Sequence, residues 1–538
     1  MSGLPATTQV LVAGGGPVGL ATAVELGRRG ISCVVIEPRE IVSHARPRCK
    51  TVNIRTMEHL RRWGLADQLR KRAPLPVEWS QDIVFCTTLA GRELSRFTGV
   101  LGLLDGGDRY PEWGQQAPQF VLEELLRETV AALDSCVLVT GWSVAGLDQR
   151  RDGVDVSIVD ATGTRAVIAA DYVVGADGAR SVVREAIGSS YVGEQALRPN
   201  FGMVFRAPDL WDHVAHGPAV QYWTVNADTP GIVGPLDRDG TWWCVAFGVD
   251  RENGERTGRE LIRGLIGMDT DVQILSTDPW TARMQLVDRV ADGRVFLAGD
   301  AAHLNPPFGG HGLNTGIGDA VDLGWKLAAV LGGWGGPALL DSYAAERRPV
   351  QDRVIAEATA NMKVLSTDLI TAALDADGES GDLARAAVDI RIQETKHAEF
   401  HALDLVLNTG YDDSPIVVPA TGGCSGLPGY RLPHVWLEDD ISIYDELGTD
   451  LSLLLIDETT VVATRAAAEF RSAAERLGIP LTVVGLRRAD LRDRYGCGLL
   501  LVRPDQYVAW AADVVPADPE AILDHVRGHA ERRRRLLK

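Results

Sequence analysis

Residues 10–19 read Val-Leu-Val-Ala-Gly-Gly-Gly-Pro-Val-Gly, a short apolar run that passes directly into a glycine-rich turn. The run predicts a buried strand, and the residues after Gly19 predict a helix that ends near Gly30. In such a turn Gly14 permits the tight bend, Gly16 lets the backbone approach a pyrophosphate, and Gly19 lets the helix pack on the strand. The pyrophosphate then lies at the helix N-terminus, where free N–H groups and the positive end of the helix dipole favour an anion.

An acidic residue follows at the distance that a dinucleotide site requires. Residues 31–36 predict a second buried strand, and Glu37 comes at its end. A carboxylate about 20 residues after the glycines accepts hydrogen bonds from ribose hydroxyls and disfavours a phosphate on that ribose. We therefore assign the following residues to a dinucleotide cofactor: Gly14, Gly16, Pro17, Val18, Gly19 and Glu37.

Two further glycine and aspartate signatures lie far from the first. Asp177-Gly178 follows an apolar strand at 172–174, and Gly299-Asp300 ends another at 295–298. Residues 305–314 then read Asn-Pro-Pro-Phe-Gly-Gly-His-Gly-Leu-Asn, and a long helix is predicted to begin near residues 312–314. We expect Asp300 to hold a ribityl hydroxyl, and the helix start to stabilise negative charge on a reduced isoalloxazine ring. The three signatures together predict one FAD bound from three sides.

The third signature contributes most of the remaining cofactor residues. An acid, two prolines and a helix start in this order are not explained by a structural turn alone. We assign to the flavin end of the cofactor, besides Asp300, the residues Pro307, Gly310, Gly312, Leu313 and Asn314.

Length and composition set the limits of the interpretation. A chain of 538 residues is long enough for two to four domains, and its 45% hydrophobic and 24% charged content is ordinary for a globular protein. The formal net charge of −19 disfavours nucleic acid or an anionic membrane as a partner, because either requires a basic face. We expect a cytoplasmic enzyme, since neither a signal peptide nor a run of about 20 apolar residues is present.

The seven cysteines are scattered and form no CxxC pair. This pattern argues against a metal site or a disulfide framework, and it suits a reducing compartment.

Residues 191–280 differ in composition from the rest and predict strands, such as 219–225 and 241–249, with few strong helices. Aromatic residues are concentrated there, namely Phe205, Tyr222, Trp223, Trp242, Trp243 and Phe247. Such residues either line a pocket for a flat aromatic ligand or form the core of a sheet. We infer a substrate-facing sheet without assigning its contacts.

The chain resembles the group A flavoprotein aromatic monooxygenases. The resemblance rests on the three signatures together with Arg48, Gln119 and residues 342–349, Ser-Tyr-Ala-Ala-Glu-Arg-Arg-Pro. It is strong over residues 8–360 and weak beyond them. It is greatest to the branch of phenol hydroxylases, 3-(3-hydroxyphenyl)propionate hydroxylases and hydroxylases that tailor polyketides.

The resemblance implies an α/β and α+β fold with three parts. These are a Rossmann-like FAD domain of the para-hydroxybenzoate hydroxylase type, an inserted antiparallel substrate sheet and a C-terminal thioredoxin-like domain. The expected boundaries are 1–190 for the first part of the FAD domain, 191–285 for the substrate sheet, 286–400 for the second part with connecting helices, and 401–538 for the C-terminal domain.

Local patterns agree with this division. Residues 451–456 and 481–484 predict strands on either side of a helix at 463–477, and residues 499–510 predict a hairpin. Nearer the start, residues 54–69 predict one helix.

The resemblance also implies the reaction. NADH or NADPH reduces FAD, and the reduced flavin and O2 then form a C4a-hydroperoxide that hydroxylates a phenolic or polycyclic aromatic compound. Only one dinucleotide fingerprint is present, which matches enzymes in which the nicotinamide docks transiently and a mobile flavin meets it. The same resemblance adds Arg48, Gln119, Asp177 and Gly178 to the cofactor residues. The choice of nicotinamide and the hypothesis of a homodimer are left open.

His311 is the candidate catalytic residue. By resemblance it lies close to the reactive edge of the flavin, and an unperturbed pKa near 6.5 suits a base that deprotonates or orients a phenol. The alternative is a polar residue that satisfies the loop backbone, and several enzymes of this type need no protein base. His303 resembles a structural histidine of the family.

Two other functions remain open. The first is a flavoenzyme on the same scaffold that performs Baeyer–Villiger insertion, oxidative decarboxylation or another oxidation. The second is a flavoprotein that binds an aromatic ligand with little turnover. The biological role, whether catabolism, natural-product tailoring or inactivation of an antibiotic, is likewise open.

Overall fold

The computed structural model describes residues 4–45, 50–102, 108–194, 198–363, 369–420, 424, 427–488 and 490–529. Arg48, one of the expected cofactor residues, lies outside these ranges. The first third of the chain forms β1 (Thr7–Ala13), α1 (Pro17–Gly27), β2 (Cys33–Glu37), β3 (Thr51–Val52), α2 (Ile54–Trp63), α3 (Ala66–Arg72), β4 (Ile83–Cys86), β5 (Glu93–Phe97), β6 (Gln115–Gln116), α4 (Gln119–Ala131), β7 (Cys136–Thr140), β8 (Trp142–Gln149), β9 (Val154–Asp160), β10 (Arg165–Gly175) and α5 (Val182–Ala186).

The remaining elements follow in the same order. They are β11 (Tyr191–Glu194), β12 (Pro199–Arg206), β13 (Gln221–Thr224), β14 (Gly231–Pro235), β15 (Thr241–Phe247), α6 (Arg251–Ile266), β16 (Gln273–Thr281), β17 (Met284–Val287), β18 (Ala291–Asp292), β19 (Val295–Leu297), β20 (His303–Leu304), α7 (His311–Leu331), α8 (Pro337–Lys363), α9 (Glu379–Phe400), α10 (Leu403–Leu407), β21 (Trp436–Glu438), β22 (Ile441–Ser442), β23 (Leu451–Ile456), α11 (Val461–Leu477), β24 (Leu481–Leu486), α12 (Leu491–Tyr495), β25 (Leu499–Val502), β26 (Val508–Ala512) and α13 (Pro519–Val526).

A parallel sheet places the second signature between the first and the third. Its strands lie in the order β19-β10-β1-β2-β7, and each neighbouring pair is parallel. Strands β8 and β9 form an antiparallel meander that joins β10. Because the carboxyl ends of parallel strands meet at one edge, the turns after β1, β10 and β19 all lie at that edge. The fold therefore brings together segments that are more than 100 residues apart in sequence.

A second sheet carries the aromatic-rich segment. Its seven strands lie in the order β16-β12-β15-β14-β13-β4-β5, and every pair is antiparallel except β13 and β4. The β4–β5 hairpin comes from residues 83–97, which the expected boundary at residue 191 leaves outside this sheet. A contiguous reading of the sequence does not reveal pairing between such distant segments. The boundaries themselves remain predictions.

One local expectation was wrong. The expected helix at 54–69 is two helices, because Gly64 ends α2 in a left-handed conformation with φ of 76°. The aromatic-rich segment contains one 16-residue helix, α6, in agreement with the expectation of few strong helices there. Two of the buried positions of α6, Gly254 and Gly258, are glycines, so the apolar pattern underestimates its core-facing side.

The C-terminal unit is built as expected for a thioredoxin-like domain. Strands β24-β23-β25-β26 form one sheet in which β23 and β24 are parallel and the other pairs are antiparallel. Helix α11 connects the parallel pair, and β25 and β26 form the expected hairpin. The parallel sheet, the second sheet and this C-terminal domain confirm the expected fold class.

Buried ion pairs join the C-terminal unit to the long helix α7. Arg503 has no exposed side-chain surface and donates to Glu346 at 2.6 and 2.8 Å, to Asp322 at 3.0 Å and to Asp505 at 2.6 Å. Lys326, also fully buried, donates to Asp322 and Glu346 at 2.8 and 2.6 Å. Asp322 and Lys326 lie on α7, Glu346 lies on α8, and Arg503 and Asp505 belong to the hairpin turn. The contact thus combines this ion network with an apolar core, in which Trp325 of α7 packs in one cluster with Leu453 and Phe470 of the C-terminal unit.

Candidate active site

The glycine turn after β1 leaves room for a ligand at one position. Gly14 has φ of 102°, and a Cβ there would overlap the carbonyl oxygen of Ala176. Gly16 has an ordinary φ of −78°, and a Cβ there would have no neighbour within 4 Å in the described structure. Gly16 is also the N-cap of α1, with no side-chain cap bond. The first turn of α1 therefore faces open space at the position where a pyrophosphate is expected.

Val18 connects the first signature to the third. A Cβ on Gly299 would lie 2.9 Å from Val18 Cγ2, and a Cβ on Gly316 would lie 2.6 Å from the same atom. The Val18 side chain is therefore packed against both the turn after β19 and helix α7. Val18 would thus contribute to a cofactor site by holding the first glycine turn close to the turn after β19 and to α7. Pro17 is buried at the first position of α1, where its fixed φ suits the helix start.

Glu37 lies at the end of β2, is only 3% exposed and is held in a network of hydrogen bonds. Its Oε2 accepts from Gly15 N at 2.8 Å, and its Oε1 accepts from Arg39 Nε at 2.6 Å. Arg39 also donates to Glu123 Oε1 at 2.8 Å, and burial raises the pKa of Glu123 although Arg39 and Arg127 oppose this effect. Sequence reasoning missed Arg39 and Glu123. The i, i+4 spacing of Glu123 and Arg127 on α4 was the available signal.

Gln119 is the first residue of α4 and is half-buried. It lies one helical turn before Glu123, so the start of α4 is near the Glu37 end of the site. No hydrogen bond of its side chain is found within the described residues.

Asp177 and the first glycine turn are in contact. A Cβ on Gly14 would lie 3.0 Å from Asp177 Cα, and Ala176 N donates to Ala13 O at 2.8 Å. One carboxylate oxygen of Asp177, Oδ2, accepts from Val182 N and Val183 N at 2.8 and 3.2 Å. The other, Oδ1, is buried and has no partner among the residues that the structure describes. Gly178 has φ of 79° and open space beyond its Cα.

Burial raises the pKa of Asp177 and outweighs the hydrogen bonds that stabilise its charge. An unpartnered buried oxygen is costly, and a ligand hydroxyl would satisfy it.

The turn after β19 presents Asp300 to solvent. Gly299 to Ala301 form a single 3-10 turn, and the Asp300 side chain is exposed. Its main-chain oxygen accepts a hydrogen bond from the Tyr191 hydroxyl. In the described part of the chain no side-chain partner of Asp300 is found, so its carboxylate is available to a ligand.

The glycine-rich loop leads into α7, which begins at His311, next to the expected start at 312–314. Pro307 is exposed at the start of the loop, and Gly310 has φ of 68° as the N-cap of α7. Gly312 and Leu313 lie in the first turn and are half-buried. The first N–H groups of a helix have no partner within it, so the backbone of this turn can donate to a ligand.

The Asn314 side chain is fully engaged by the protein. Its Oδ1 accepts from Asn53 N at 2.9 Å and from Thr56 Oγ1 at 2.8 Å. Its Nδ2 donates to Thr51 O at 2.9 Å and to Gly310 O at 2.7 Å. Asn314 therefore fixes the start of α7 to the segment before α2, and its amide is not free for a cofactor. Sequence reasoning did not identify this segment, which carries no motif.

His311 is 5% exposed, and its Nε2 is buried without a partner among the described residues. Burial lowers its pKa to about 4, so the imidazole is neutral near pH 7. A neutral imidazole with an open nitrogen can accept or share a proton.

His303 is engaged differently. Its Nε2 lies 2.9 Å from Asp319 Oδ2, and both residues are buried. Burial disfavours the charged form of Asp319, but Arg347 and His303 outweigh it and hold the pKa of Asp319 at about 2. Asp319 also accepts from Gly299 N at 3.1 Å. His303 is thus part of a network that supports the turn after β19, as the structural interpretation predicts.

A cluster of aromatic rings lies beside the α7 start. Phe308, in the glycine-rich loop, has its ring centroid 6.0 Å from that of Trp223 and 6.4 Å from that of Phe247. Phe85, Phe97 and Phe400 complete this cluster. Trp223 Nε1 is buried and has no partner within the described residues. Of the aromatic residues expected in the sheet, Trp223 and Phe247 therefore face the loop.

The other face of the sheet carries most of the remaining aromatic residues. Phe205, Tyr222 and Trp242 belong to a separate core that contacts α6. Trp243 packs at the edge of the first cluster. Adjacent residues of a strand point to opposite faces, which explains why Tyr222 and Trp223 are separated.

A buried ion pair on α9 contacts the glycine-rich loop that leads into α7. Lys396 Nζ on α9 donates to Glu399 Oε2 at 2.8 Å and lies 5.0 Å from the Trp223 ring centroid. Burial raises the pKa of Glu399. Lys396 and a hydrogen bond from the backbone N–H of Gly309 partly offset this increase. This pair links α9 to the loop that carries Phe308.

Comparison with known proteins gives a consistent result. Residues 7–358 match the FAD binding domain family, and residues 425–530 match the aromatic-ring hydroxylase C-terminal family. The chain is 34% identical to tetracenomycin B2 monooxygenase-dioxygenase of Streptomyces olivaceus, over 96% of this chain and 97% of that protein. It is 30% identical to phenol 2-monooxygenase of Pseudomonas sp. (strain EST1001), over 96% and 91%.

Solved structures agree with these matches. A structure of RebC soaked with chromopyrrolic acid and holding 7-carboxy-K252c is similar at a TM-score of 0.89 and 34% identity, covering 98% of this chain and all of that one. Aklavinone-11 hydroxylase in a ternary complex with FAD and aklavinone is similar at a TM-score of 0.81 and 26% identity, covering 96% and 98%.

Proposed function

Since the chain belongs to the FAD-dependent aromatic-ring hydroxylases, we propose that it hydroxylates a phenolic or polycyclic aromatic compound bound against Trp223, Phe247 and Phe308. The family resemblance inferred from sequence is confirmed. The protein is a flavin-dependent monooxygenase with FAD as cofactor and NAD(P)H and O2 as co-substrates. The observation that carries the substrate proposal is the ring cluster against the loop that starts α7.

The residues at the sheet edge fit FAD. The open space at Gly16 suits the pyrophosphate, Glu37 suits the ribose, and the exposed carboxylate of Asp300 suits a ribityl hydroxyl. The unpartnered Oδ1 of Asp177 provides an independent sign of a missing hydrogen-bond donor. Bound FAD supplies the redox chemistry and the activation of O2. The backbone N–H groups of Gly312 and Leu313 would stabilise negative charge on the reduced ring.

The role proposed for His311 is to hold the substrate hydroxyl through its neutral Nε2 and to share its proton. Burial of His311 keeps the imidazole uncharged near pH 7. The aromatic cluster would orient the plane of the substrate ring. The Lys396–Glu399 pair would hold the loop that carries Phe308.

Replacing His311 with glutamine should leave FAD content normal and reduce the fraction of NAD(P)H oxidation that yields hydroxylated product. The variant should also resist acid better. The unfolded chain binds a proton at position 311 below about pH 6.5, but the folded protein binds it only near pH 4, so wild-type stability falls through this window. The difference amounts to about 3 kcal/mol at most. Urea unfolding at pH 7 and pH 4.5 measures it.

The control for that experiment is the exposed His213, replaced with glutamine. It should change neither coupling nor acid stability relative to wild type. Wild-type coupling in the His311 variant would exclude His311 from the reaction.

One alternative function has a specific observation in its favour. RebC, a rebeccamycin biosynthetic enzyme, is similar over nearly the whole chain. A flavoenzyme on this scaffold that performs Baeyer–Villiger insertion, oxidative decarboxylation or another oxidation is therefore the second proposal. The mass of the product distinguishes it from a hydroxylase. A binding flavoprotein with little turnover would show tight ligand binding without NAD(P)H oxidation.

The decisive test measures NADPH and NADH oxidation by the FAD-loaded protein with a panel of phenols, naphthoquinones and polycyclic aromatics. Hydrogen peroxide and product mass are measured in the same wells. Ligand-stimulated oxidation, little peroxide and a product heavier by one oxygen atom are expected. If every ligand leaves oxidation unstimulated, or all reducing equivalents appear as peroxide, the hydroxylase proposal fails.

The cellular setting is also a proposal. Within the described residues, no helix combines the length and the apolar character that crossing a membrane requires. We propose a cytoplasmic enzyme that acts in natural-product tailoring, because several relatives are tetracenomycin or polyketide enzymes of Streptomyces. A homodimer, and the absence of nucleic-acid binding at a net charge of −19, remain predictions.

A further inference from the structure

Arg198 is an unusual cation at the edge of the aromatic cluster. Its guanidinium lies over the Phe247 ring, 5.5 Å from the centroid, and the side chain is half-buried. Neither an ion pair nor a hydrogen bond of this guanidinium occurs in the part of the chain that the structure describes. By contrast, Arg62, Arg347, Arg431 and Arg503 each contact a carboxylate.

The backbone holds Arg198 in place. Its carbonyl oxygen accepts from Asn200 Nδ2 and from Ala282 N, each at 3.1 Å. A Cβ on Gly248 would lie 3.5 Å from both Nε and Nη2 of Arg198, so the side chain lies across the end of β15. The side chain is therefore placed by its surroundings, although no carboxylate attracts it there.

The energetics favour an incoming anion. Burial lowers the pKa of Arg198, and no charged neighbour contributes to the change. A guanidinium that has lost part of its hydration without gaining an anion is poorly satisfied. A planar oxyanion, such as a carboxylate or an ionised enol, matches the two parallel N–H donors of the guanidinium.

The position relates this cation to the proposed substrate site. Phe247, beneath Arg198, has its ring 6.4 Å from that of Phe308, which is three residues before His311. A flat ligand lying on this cluster would therefore have one end near Arg198 and could extend toward the start of α7.

We propose that Arg198 binds an oxyanion of the aromatic substrate and so selects anionic aromatics, carboxylated or enolic, over neutral ones. The proposal rests on the proposed function, because it assigns the ring cluster to the substrate. It adds a chemical class to that function: a polycyclic aromatic that bears a delocalised negative charge at the Phe247 end of the site.

Binding to the FAD-loaded protein tests the proposal with two ligand pairs. The first is 1-naphthoate against its methyl ester, and the second is ionised 2-hydroxy-1,4-naphthoquinone against 2-methoxy-1,4-naphthoquinone. Affinities are measured from the change in flavin absorbance at constant ionic strength. Wild type should bind at least one anion about tenfold more tightly than its neutral partner. The pair that shows the preference identifies the carboxylate or the enolate.

Three variants complete the experiment. Arg198→Met should lose the preference and change neutral binding less than about twofold, while Arg198→Lys should keep part of it, because a lysine retains charge without the planar fork. Arg206→Met removes an exposed arginine from the other end of β12 and should keep the full preference. A preference unchanged in Arg198→Met, or absent in wild type, overturns the proposal.

Three further outcomes separate the possible failures. If the anion preference depends on Arg198 but no ligand yields a hydroxylated product, the anion site stands and the hydroxylase function fails. If neutral and anionic ligands bind and stimulate equally, the function stands and the anion site fails. A rise in the KM for NADPH in Arg198→Met, with aromatic binding unchanged, would assign the cation to the nucleotide phosphates and overturn the proposal.

Discussion

Replacing Gly16 with alanine is expected to weaken FAD binding strongly without disturbing the fold. The backbone at Gly16 has an ordinary φ, and a methyl group there would have no protein neighbour within 4 Å, so the apoprotein should accept it. In the loaded protein the same methyl group would occupy the space proposed for the pyrophosphate. Loss of hydrogen bonds to a charged group costs about 1.5–3 kcal/mol, so the dissociation constant of FAD should rise by about 10- to 100-fold.

The measurement is a fluorescence titration of apoprotein with FAD, together with the melting temperature of the apoprotein. Gly146→Ala is the matched control, because Gly146 in β8 also has open space and a negative φ but lies away from the sheet edge. Gly14→Ala is the opposite case, since its positive φ and the nearby Ala176 carbonyl should destabilise the apoprotein itself. Wild-type FAD affinity in Gly16→Ala would refute the assigned pyrophosphate position.

Replacing Arg503 with methionine should produce the largest loss of stability among the substitutions considered. The change leaves Glu346, Asp322 and Asp505 buried without the guanidinium that joins them, and Lys326 contacts only Asp322 and Glu346. Removal of one partner from a buried ion pair costs about 3–5 kcal/mol, because the charge that remains is neither hydrated nor paired. The urea midpoint of unfolding, followed by tryptophan fluorescence, should fall accordingly.

Two comparisons make this result specific. Arg487→Met breaks an exposed pair with Glu458 in the same domain and should leave the midpoint unchanged. Adding Glu346→Gln to Arg503→Met should recover part of the loss, since it removes one of the orphaned charges. A wild-type midpoint in the single variant would mean that the cluster reorganises or admits water, and the ion network would then not stabilise the domain contact.

The sequence predicted what depends on short segments. A strand, a glycine turn and a helix follow one another in residues 7–27, and the structure has them in those places. The strands and helix of the C-terminal domain were likewise predicted within a few residues. The convergence of the three signatures followed from a rule of parallel sheets, since each signature ends a buried strand.

What the sequence did not predict depends on contacts between distant segments. Asn314 was expected at the cofactor, but its amide is consumed by Thr51, Asn53, Thr56 and Gly310. A single side chain cannot be assigned to a ligand until its protein partners are known. The partners of Glu37 were missed for the same reason. Adjacent residues of a strand point to opposite faces of its sheet, so the division of the aromatic residues between two faces follows from the strand bounds. The sequence did not give those bounds accurately enough.

Helix α7 has His311 at its first position and Asp322 and Lys326 in its later turns, where Arg503 of the C-terminal unit binds. The start of α7, at the candidate flavin site, and the anchor of the C-terminal domain are therefore parts of one helix. A chimera that takes its C-terminal domain from a relative would have to keep Arg503 and Asp505 in that domain, and Asp322, Lys326 and Glu346 on α7 and α8. A substitution in the C-terminal domain at Arg503 is therefore expected to affect the helix that begins at the candidate flavin site.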